Sequence, residues 1–235
     1  MHSPILSMAT CASRTRVIVL KTTRHLMKNY NYVVLAPGGR QAVVIDPSWQ
    51  IEKVTAALDN LGARLAAILV THSHADHIDL AKPLADQYGC PIWMSEQEIA
   101  ASGFRAKQLV ACDGEPFRVG EMIIEPILTP GHTAGSTCYL IEDNAFTGDV
   151  LFAEGCGICT DTAAAHDMFF SLELLKKRLR QSTRIYPGHS YGKPPGQQLG
   201  EVLKENIYLQ FPNHNAFASF RMRKGQNVVR MFSFV

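Results

Sequence analysis

Apolar residues along this chain fall in short runs that end at turn-forming residues. Residues 16–22, 30–36 and 41–45 are rich in β-branched and aromatic side chains, and Pro37-Gly38-Gly39 separates the second run from the third. Runs of this composition are typical of β-strands, and the Pro-Gly-Gly segment is typical of a tight turn. The pattern therefore predicts that the chain opens with an antiparallel meander of three strands.

Later runs predict an alternation of helices and further strands. Apolar residues at helical spacing predict helices over 51–61, 80–88, 96–101 and 197–211, and another along the stripe Leu172, Leu175 and Leu179. Short apolar runs predict strands at 65–70, 91–94, 122–128, 137–141, 145–147, 184–186 and 227–235. Two of these strands, 137–141 and 145–147, are close enough in sequence to pair as a hairpin.

Four of the predicted strands end in a segment that carries histidine or aspartate. These side chains are His72, His74, Asp76 and His77 after strand 65–70, His132 after strand 122–128, Asp149 after strand 145–147 and His189 after strand 184–186. Ligands that recur at strand ends can converge in space. Imidazole and carboxylate are the usual ligands of zinc and its neighbours. The pattern therefore predicts a metal site rather than a solvated loop that is rich in histidine.

The first of these segments follows a run with the length and aliphatic content of a strand buried on both faces. His72 and His74 alternate along an extended segment, so both imidazoles are expected to point the same way. Asp76 and His77 are expected at a helix start, where a carboxylate is favoured. Two imidazoles could then hold one ion, and the Asp-His pair a second. For Asp46 the sequence leaves open whether the residue orients a ligand or forms a turn.

Composition narrows the class of protein. The chain has 235 residues, of which 46% are hydrophobic and 19% charged, as in a globular protein with a sizeable core. A formal net charge of +2 is too small to predict nucleic-acid binding. Apolar stretches are shorter than the ~18 residues that span a bilayer, and the first residues lack a signal-peptide pattern. We therefore expect a cytoplasmic protein without a membrane partner, with a flexible tail over residues 1–14 and a single domain over residues 15–235.

The cysteines do not predict disulfide bonds. The six positions are Cys11, Cys90, Cys112, Cys138, Cys156 and Cys159. A chain of this size needs no disulfide staples, and reduced thiols are expected in the cytoplasm. Cys156-Gly157-Ile158-Cys159 has CxxC spacing, but it lies in a Gly-rich loop without the helix of a thioredoxin-like motif. We therefore do not predict a redox role or a separate zinc site for this loop.

The order and spacing of the ligand residues resemble the metallo-β-lactamase superfamily. The matching motifs are His72-x-His74-x-Asp76-His77, Gly131-His132, Gly148-Asp149 and Gly188-His189, and the resemblance covers residues 16–191. It implies an α/β (α+β) fold, the αββα sandwich of two mixed β-sheets flanked by helices. It also implies two ions, zinc first with iron or manganese as alternatives. By this resemblance His72, His74 and His132 would hold one ion, Asp76, His77 and His189 the other, and Asp149 would bridge them.

Within the superfamily, the segments 146–152 and 186–189 resemble the glyoxalase II branch, whose members hydrolyse thioesters. Only 46 residues follow His189, too few for the helical extension that carries much of the glutathione site in that branch. Residues Ile158-Cys159 also stand where that branch commonly has an arginine. The sequence resembles more closely the stand-alone hydrolases of bacterial trans-acyltransferase polyketide clusters. They share the Gly155-Cys156-Gly157-x-Cys159 loop and segments similar to 187–192, 206–211 and 221–225.

The resemblance implies hydrolysis of an acyl thioester held on an acyl carrier protein or on coenzyme A. Asp76 and Asp149 would then be catalytic, because they would orient the attacking water. A thiol leaves as a thiolate, with a pKa near 8.5, and needs little protonation, although Tyr191 could reach the site. Arg221, Arg223 and Lys224 are expected to pair with phosphate or with an acidic carrier protein, unless they are ordinary solvated charges.

Other functions remain open from the sequence. One is a hydroxyacylglutathione hydrolase, and a second is a mononuclear iron persulfide dioxygenase that uses His72 and His74 in a facial ligand set. Lactonase and β-lactamase activities would keep the two metals and change the leaving group. Nuclease members of the superfamily usually carry an additional domain or substrate arm, and neither is evident here. A protein that only binds its ligand is the least favoured alternative, because such relatives tend to lose ligands.

Overall fold

The computed structural model describes residues 14–223, which build two six-stranded sheets. The first sheet contains β1 (Arg16–Arg24), β2 (Met27–Leu35), β3 (Gln41–Ile45), β4 (Arg64–Leu69), β5 (Ile92–Ser95) and β6 (Leu109–Cys112) in sequential order. Pairing is antiparallel from β1 to β3 and parallel from β3 to β6. The predicted antiparallel meander of three strands is confirmed. The parallel strands β4, β5 and β6 follow it, and helices connect each of them to the strand before.

The second sheet comes from the later part of the chain. Its strands are β7 (Phe117–Val119), β8 (Met122–Leu128), β9 (Thr137–Ile141), β10 (Asn144–Gly148), β11 (Arg184–Pro187) and β12 (Gln197–Gln198), again neighbours in chain order. Only β10 and β11 pair in parallel within this sheet. The predicted hairpin is formed by β9 and β10, whose turn places Glu142 at φ 53°.

Helices cover the outer face of each sheet. They are α1 (Ile51–Leu61), α2 (Ala75–Ile78), α3 (Ala81–Tyr88), α4 (Glu96–Ser102), α5 (Thr162–Arg178), α6 (Leu199–Glu205) and α7 (His214–Arg221), with a 3-10 turn at Ile207–Leu209. One apolar cluster packs α1 and α3 on the first sheet, and another packs α5, α6 and α7 on the second. A third cluster, which includes Tyr32 and Phe146, fills the space between the sheets. The layers confirm the expected αββα sandwich.

The burial of the central strands of the first sheet explains where the metal segment, residues 71–77, begins. Val43, Val44 and Ile68 are fully buried, because β3 and β4 are covered by helices on one face and by the second sheet on the other. A strand buried on both faces has an aliphatic sequence, as the run at 65–70 predicted. The polar residues of the metal segment therefore begin only after the end of β4, where the chain is no longer part of the sheet.

The prediction of a single helix over residues 197–211 is wrong. Residues 197–198 pair with β11 as β12, α6 ends at Glu205, and a 3-10 turn follows. The break lies at Asn206, whose side-chain oxygen accepts from Tyr208 N at 2.9 Å and whose amide donates to two carbonyls of another loop. An asparagine that binds nearby backbone in this way competes with helix continuation.

Other short elements carried no clear periodicity in the sequence. The strands β6 and β7 contain only four and three residues, and α7 begins after Asn213, which caps the Ala216 N–H with its side chain. The strand expected over 227–235, Lys224 and nearly all of the expected tail over residues 1–14 fall outside the described residues. Within residues 14–223 no helix is both long and apolar enough to cross a membrane.

Candidate metal centre

The two sheets deliver seven histidine and aspartate side chains to one edge of the sandwich. Chain leaving β4 carries His72 to His77, and the ends of β8, β10 and β11 carry His132, Asp149 and His189. Three groups of three have ligand atoms within 4.8 Å of one another. Two of them contain only predicted ligands: His72, His74 and His132 form the first group, and Asp76, His77 and His189 form the second. The remaining one joins His72 and His77 to Asp46. The structure thus brings together all seven histidine and aspartate residues that the sequence analysis predicts as metal ligands.

In the first group three ring nitrogens converge. His74 Nδ1 lies 3.1 Å from His72 Nε2 and 3.0 Å from His132 Nε2. The outer nitrogen of His132, Nδ1, lies 2.9 Å from the Ile158 carbonyl, and that of His72 lies 3.0 Å from Thr71 Oγ1. A carbonyl only accepts, so the His132 proton is on Nδ1 and its Nε2 lone pair faces the group. Metal-binding histidines are commonly oriented in this way.

The second group has the same design. Asp76 Oδ2 lies 3.4 Å from His189 Nε2 and 3.6 Å from His77 Nε2. The outer nitrogens are again held, since His77 Nδ1 lies 2.9 Å from Asp46 Oδ2 and His189 Nδ1 donates to the Lys28 carbonyl at 3.0 Å. Each imidazole is therefore fixed from behind and presents Nε2 to the centre of the group.

Asp149 lies between the two groups. Its Oδ2 is 3.3 Å from His189 Nε2 and 3.6 Å from His132 Nε2. Its Oδ1 and the Nε2 of His77 are buried 3.5 Å apart, and neither makes a hydrogen bond within residues 14–223. Buried polar atoms are normally satisfied because leaving them unpaired costs about 1–3 kcal/mol. A cation between these atoms would satisfy both, so the residues present fit bound metal.

Burial and neighbouring charges set the protonation of the ligands. Burial lowers the pKa of His72 well below its usual range and lowers that of His74, and neighbouring imidazoles add to both shifts. Burial alone would raise the pKa of the Asp149 carboxyl, but His189 and His77 hold that pKa well below its usual range. Burial likewise opposes the shift of His189, whose pKa is nevertheless raised to about 10, mainly by Asp149. Metal binding at neutral pH would therefore displace a proton held by His189.

Asp46 acts as an orienting residue, which answers the question that the sequence left open. It follows β3 with φ 49°, and its two oxygens accept from Thr71 N at 2.8 Å and from Thr71 Oγ1 at 2.7 Å. The same carboxylate holds His77 Nδ1. Asp46 therefore fixes both the start of the metal segment and one ligand ring.

Glu98 is a supporting residue that the sequence analysis missed. This carboxylate, in the first turn of α4, is 1% exposed. It accepts from Ser73 N at 2.8 Å and Ser73 Oγ at 2.5 Å, and from Thr133 Oγ1 at 2.6 Å and Gly135 N at 3.1 Å. Glu98 thus ties the segment of His72 and His74 to the turn of His132. In the sequence it looks like any acidic residue near a helix N-terminus.

A cavity of about 270 Å³ opens over both ligand groups. Apart from the ligands, its lining is mainly apolar and includes Met27, Phe152, Cys156, Ile158 and Tyr191. The Tyr191 ring lies 5.4 Å from that of Phe152, and burial raises the pKa of its hydroxyl well above the usual range. The predicted proximity of Tyr191 to the site is therefore seen, and its hydroxyl stays protonated.

Arg221 and Arg223, the described residues of the basic C-terminal segment, differ in their exposure to solvent. Arg221 is only 4% exposed, and its Nε donates to the Gly157 carbonyl at 3.1 Å. The expectation that Arg221 contacts phosphate or a carrier protein is wrong, because its guanidinium is buried against the cavity wall. Arg223 is exposed, and its guanidinium lies 3.7 Å from the centre of the Phe220 ring.

The thiols agree with the sequence expectation. All five cysteines within residues 14–223 are free and buried, including Cys156 and Cys159. Burial raises the pKa of both thiols, so neither is an activated nucleophile at neutral pH.

Comparison with known proteins gives relatives that match most of the chain. The Bacillus velezensis protein named "Probable polyketide biosynthesis zinc-dependent hydrolase BaeB" is 47% identical over 209 residues, which cover 88% of this chain and 93% of that protein. The Bacillus subtilis protein of the same description, PksB, is 40% identical, with 90% and 95% covered. A "Probable hydroxyacylglutathione hydrolase" of Schizosaccharomyces pombe is 33% identical, with 84% and 79% covered.

A solved structure and a family model also match most of this chain. The crystal structure of ETHE1 from Myxococcus xanthus has a TM-score of 0.78 and 26% sequence identity, and the match covers 92% of this chain and 94% of that chain. Residues 27–189, which contain all seven ligand residues, match the model of the metallo-beta-lactamase superfamily. The chain belongs to the metallo-β-lactamase superfamily.

Proposed function

We propose that this protein is a dinuclear zinc hydrolase that cleaves acyl thioesters of a carrier protein or of coenzyme A in polyketide biosynthesis. The observation that carries the proposal is the pair of three-residue ligand groups, with Asp149 between them, beneath an apolar cavity. Two relatives that cover most of the chain bear the name of zinc-dependent hydrolases of polyketide biosynthesis.

The residues around the cavity have distinct tasks in this proposal. Bound zinc supplies Lewis acidity and lowers the pKa of water to about 7. Asp76 and Asp149 are ionised, because neighbouring imidazoles lower the pKa of each against the effect of burial. They accept the hydrogens of the attacking water and so orient it toward the acyl carbonyl. The apolar wall of Met27, Phe152 and Ile158 holds the acyl chain and excludes bulk water.

The chemistry of the leaving group favours a thioester. A thiol with a pKa near 8.5 departs as a thiolate, whereas an alcohol or amine must receive a proton. No lysine or glutamate of residues 14–223 lines the cavity, and the Tyr191 hydroxyl keeps its proton well above neutral pH. Tyr191 therefore serves in this proposal as a hydrogen-bond donor to the substrate. Among the three basic residues expected to dock a carrier, Arg223 stays a candidate because it is exposed.

Thiol release from three substrates tests the proposal. Zinc-loaded protein is given an acyl-coenzyme A, an acyl carrier-protein thioester and S-lactoylglutathione, and a chromogenic reagent follows the free thiol. Release from the first two with little from the third is the expected result. Preference for S-lactoylglutathione would instead indicate a hydroxyacylglutathione hydrolase, the function named for the fission yeast relative. Release from none of them, with oxygen uptake by iron-loaded protein given a glutathione persulfide, would refute hydrolysis in favour of the dioxygenase alternative.

One histidine variant tests the ligand role, and a second histidine variant is its matched control. His74→Ala removes a ligand from the first group and is expected to abolish thiol release while the protein stays folded, because the ligands lie at the rim of the sandwich. His166→Ala removes an imidazole of α5 that packs against His214 at 4.7 Å and belongs to neither ligand group. Activity of His166→Ala should therefore match the parent protein. Loss of secondary structure in His74→Ala would contradict the placement of the ligands at the rim.

A further inference from the structure

The loop over residues 155–159 forms one wall of the cavity and also orients a metal ligand. It lies between β10 and α5, and Cys156, Gly157 and Ile158 line the cavity. The Ile158 carbonyl accepts from Nδ1 of His132 at 2.9 Å. The position of this irregular loop therefore decides where the ring of His132 lies in the first ligand group.

Side chains from the C-terminal helices hold the loop by its carbonyl groups. The Gly155 carbonyl accepts from Asn206 Nδ2 at 2.9 Å, and the Gly157 carbonyl accepts from Arg221 Nε at 3.1 Å. On the opposite side the loop presses on the metal site, since a Cβ built at Gly157 would lie 1.8 Å from the Asp149 carbonyl oxygen. The loop is thus clamped between Asp149 on one side and the C-terminal helices on the other.

Arg221 is suited to this clamp by its shape. It ends α7, is 4% exposed, and stacks its guanidinium over the Tyr208 ring at 5.6 Å from the centroid. Burial raises the pKa of the Cys159 thiol, and the positive charge of Arg221 opposes this rise. A planar guanidinium can donate to a carbonyl and stack on an aromatic ring at once, whereas the ammonium of lysine is a compact charge on a flexible stem.

We propose that Arg221 is a positioning residue for the first ligand group. By holding the Gly157 carbonyl while it packs on Tyr208, Arg221 fixes the loop that carries the adjacent Ile158 carbonyl, and this carbonyl fixes the ring of His132. The inference rests on the proposed metal function, but it concerns metal binding and does not depend on the substrate. The C-terminal helices then contribute to the metal site without supplying any ligand.

Zinc affinity measured against a chromophoric chelator tests this role in three variants, Arg221→Met, Arg221→Lys and Arg221→Gln. Orienting partners of metal ligands typically contribute 10–100-fold to affinity, so we expect Arg221→Met to weaken one of the two ions about tenfold and leave the other unchanged. Arg178→Met is the matched control, because Arg178 also ends a helix but pairs with Glu125 on the surface. The control should bind both ions as the parent protein does.

The lysine and glutamine variants separate geometry from charge, and they keep the test open if Arg221→Met fails to fold. Partial recovery in both variants is expected, because each retains a donor for the Gly157 carbonyl but loses the guanidinium that stacks on Tyr208. Full recovery in Arg221→Lys with none in Arg221→Gln would overturn the proposal, since charge alone would then explain the effect. A lowered melting temperature with unchanged affinity for both ions would also overturn it, because Arg221 would then only stabilise the fold.

A second readout follows the ring of His132 directly. In cobalt-loaded protein the exchangeable ring N–H proton of each coordinated imidazole gives a shifted proton resonance, and for His132 and His189 this is the Nδ1 proton. The resonance of His132 should broaden in Arg221→Met, because its acceptor is no longer held, while that of His189 should not change. If instead the parent protein released no thiol from any thioester but Arg221→Met still lost zinc affinity, the proposed function would fail and the positioning role would stand.

Discussion

Replacing Glu98 by alanine is expected to loosen the two segments that carry the first ligand group. The carboxylate is buried and accepts hydrogen bonds from Ser73, Thr133 and Gly135, which lie on different segments. In Glu98→Ala these donors lose their common acceptor. Because the N–H groups of Ser73 and Gly135 belong to the backbone, they cannot turn toward another partner without moving the chain.

The size of the effect follows from these donors. The Thr133 hydroxyl lies 2.7 Å from Ser136 Oγ and keeps a partner, so the two backbone N–H groups dominate the loss. Each buried donor without an acceptor costs about 1–3 kcal/mol, and with the lost packing of the side chain we expect the free energy of unfolding to fall by about 3–5 kcal/mol. For a protein of this size, that loss corresponds to a melting temperature lower by about 6–20 °C.

Thermal and urea unfolding of the metal-free protein measure this loss. The matched control is Glu96→Ala, which removes an exposed acid from the same turn of α4 and should cost only about 0.3–1 kcal/mol through the helix dipole. Glu98→Gln keeps one acceptor oxygen and should fall between the control and Glu98→Ala. A Glu98→Ala protein as stable as Glu96→Ala would refute the inference that this carboxylate joins the two segments.

Three further predictions concern the metal site. Asn29→Ala should weaken one zinc ion about tenfold in a chelator competition, because Asn29 Nδ2 donates to the Asp76 carbonyl at 2.6 Å and to its Oδ2 at 3.1 Å; unchanged affinity would contradict this. Gly157→Ala should reduce thiol release at least tenfold in the substrate assay, because the added Cβ would clash with the Asp149 carbonyl oxygen. Full activity would show that the loop can move to accommodate the Cβ. The pKa of His189 rises from 6.5 to about 10 on folding, so protonated His189 should stabilise the metal-free protein below pH 6.5, and this stabilisation should disappear as the pH rises to 10. Urea unfolding at pH 6.5 and pH 10 measures the difference, with zinc-loaded protein as the control. A free energy of unfolding that does not change with pH in the metal-free protein would contradict the shift.

The sequence predicted the frame of the molecule because its signals are local. Strands such as β8 and β9 have the same bounds in the structure as in the sequence prediction, since apolar runs and turn residues mark their ends. The candidate ligand residues stand out for the same reason: each follows a strand in a segment with its own glycine or histidine pattern. Helix α1 also agrees, with Gly62 in the left-handed conformation at its end.

The supports of the site could not be predicted, because their roles arise from contacts between distant parts of the chain. Glu98 is 25 residues from Ser73, and Arg221 is 64 residues from Gly157. In the sequence, the first looks like an ordinary acid of a helix start and the second like part of a solvated basic segment. Local patterns contain no information on which distant carbonyl or amide such a side chain will meet.

The supports of the two ligand groups come from opposite ends of the described chain, and this has a consequence for synthesis on the ribosome. The His189 ring is held by the Lys28 carbonyl, 161 residues earlier, while the His132 ring depends on a loop that Arg221 clamps. A nascent chain therefore exposes its first histidines long before either group can be completed. By the role proposed for Arg221, the first ligand group would reach its full metal affinity only after α7 has left the exit tunnel and docked.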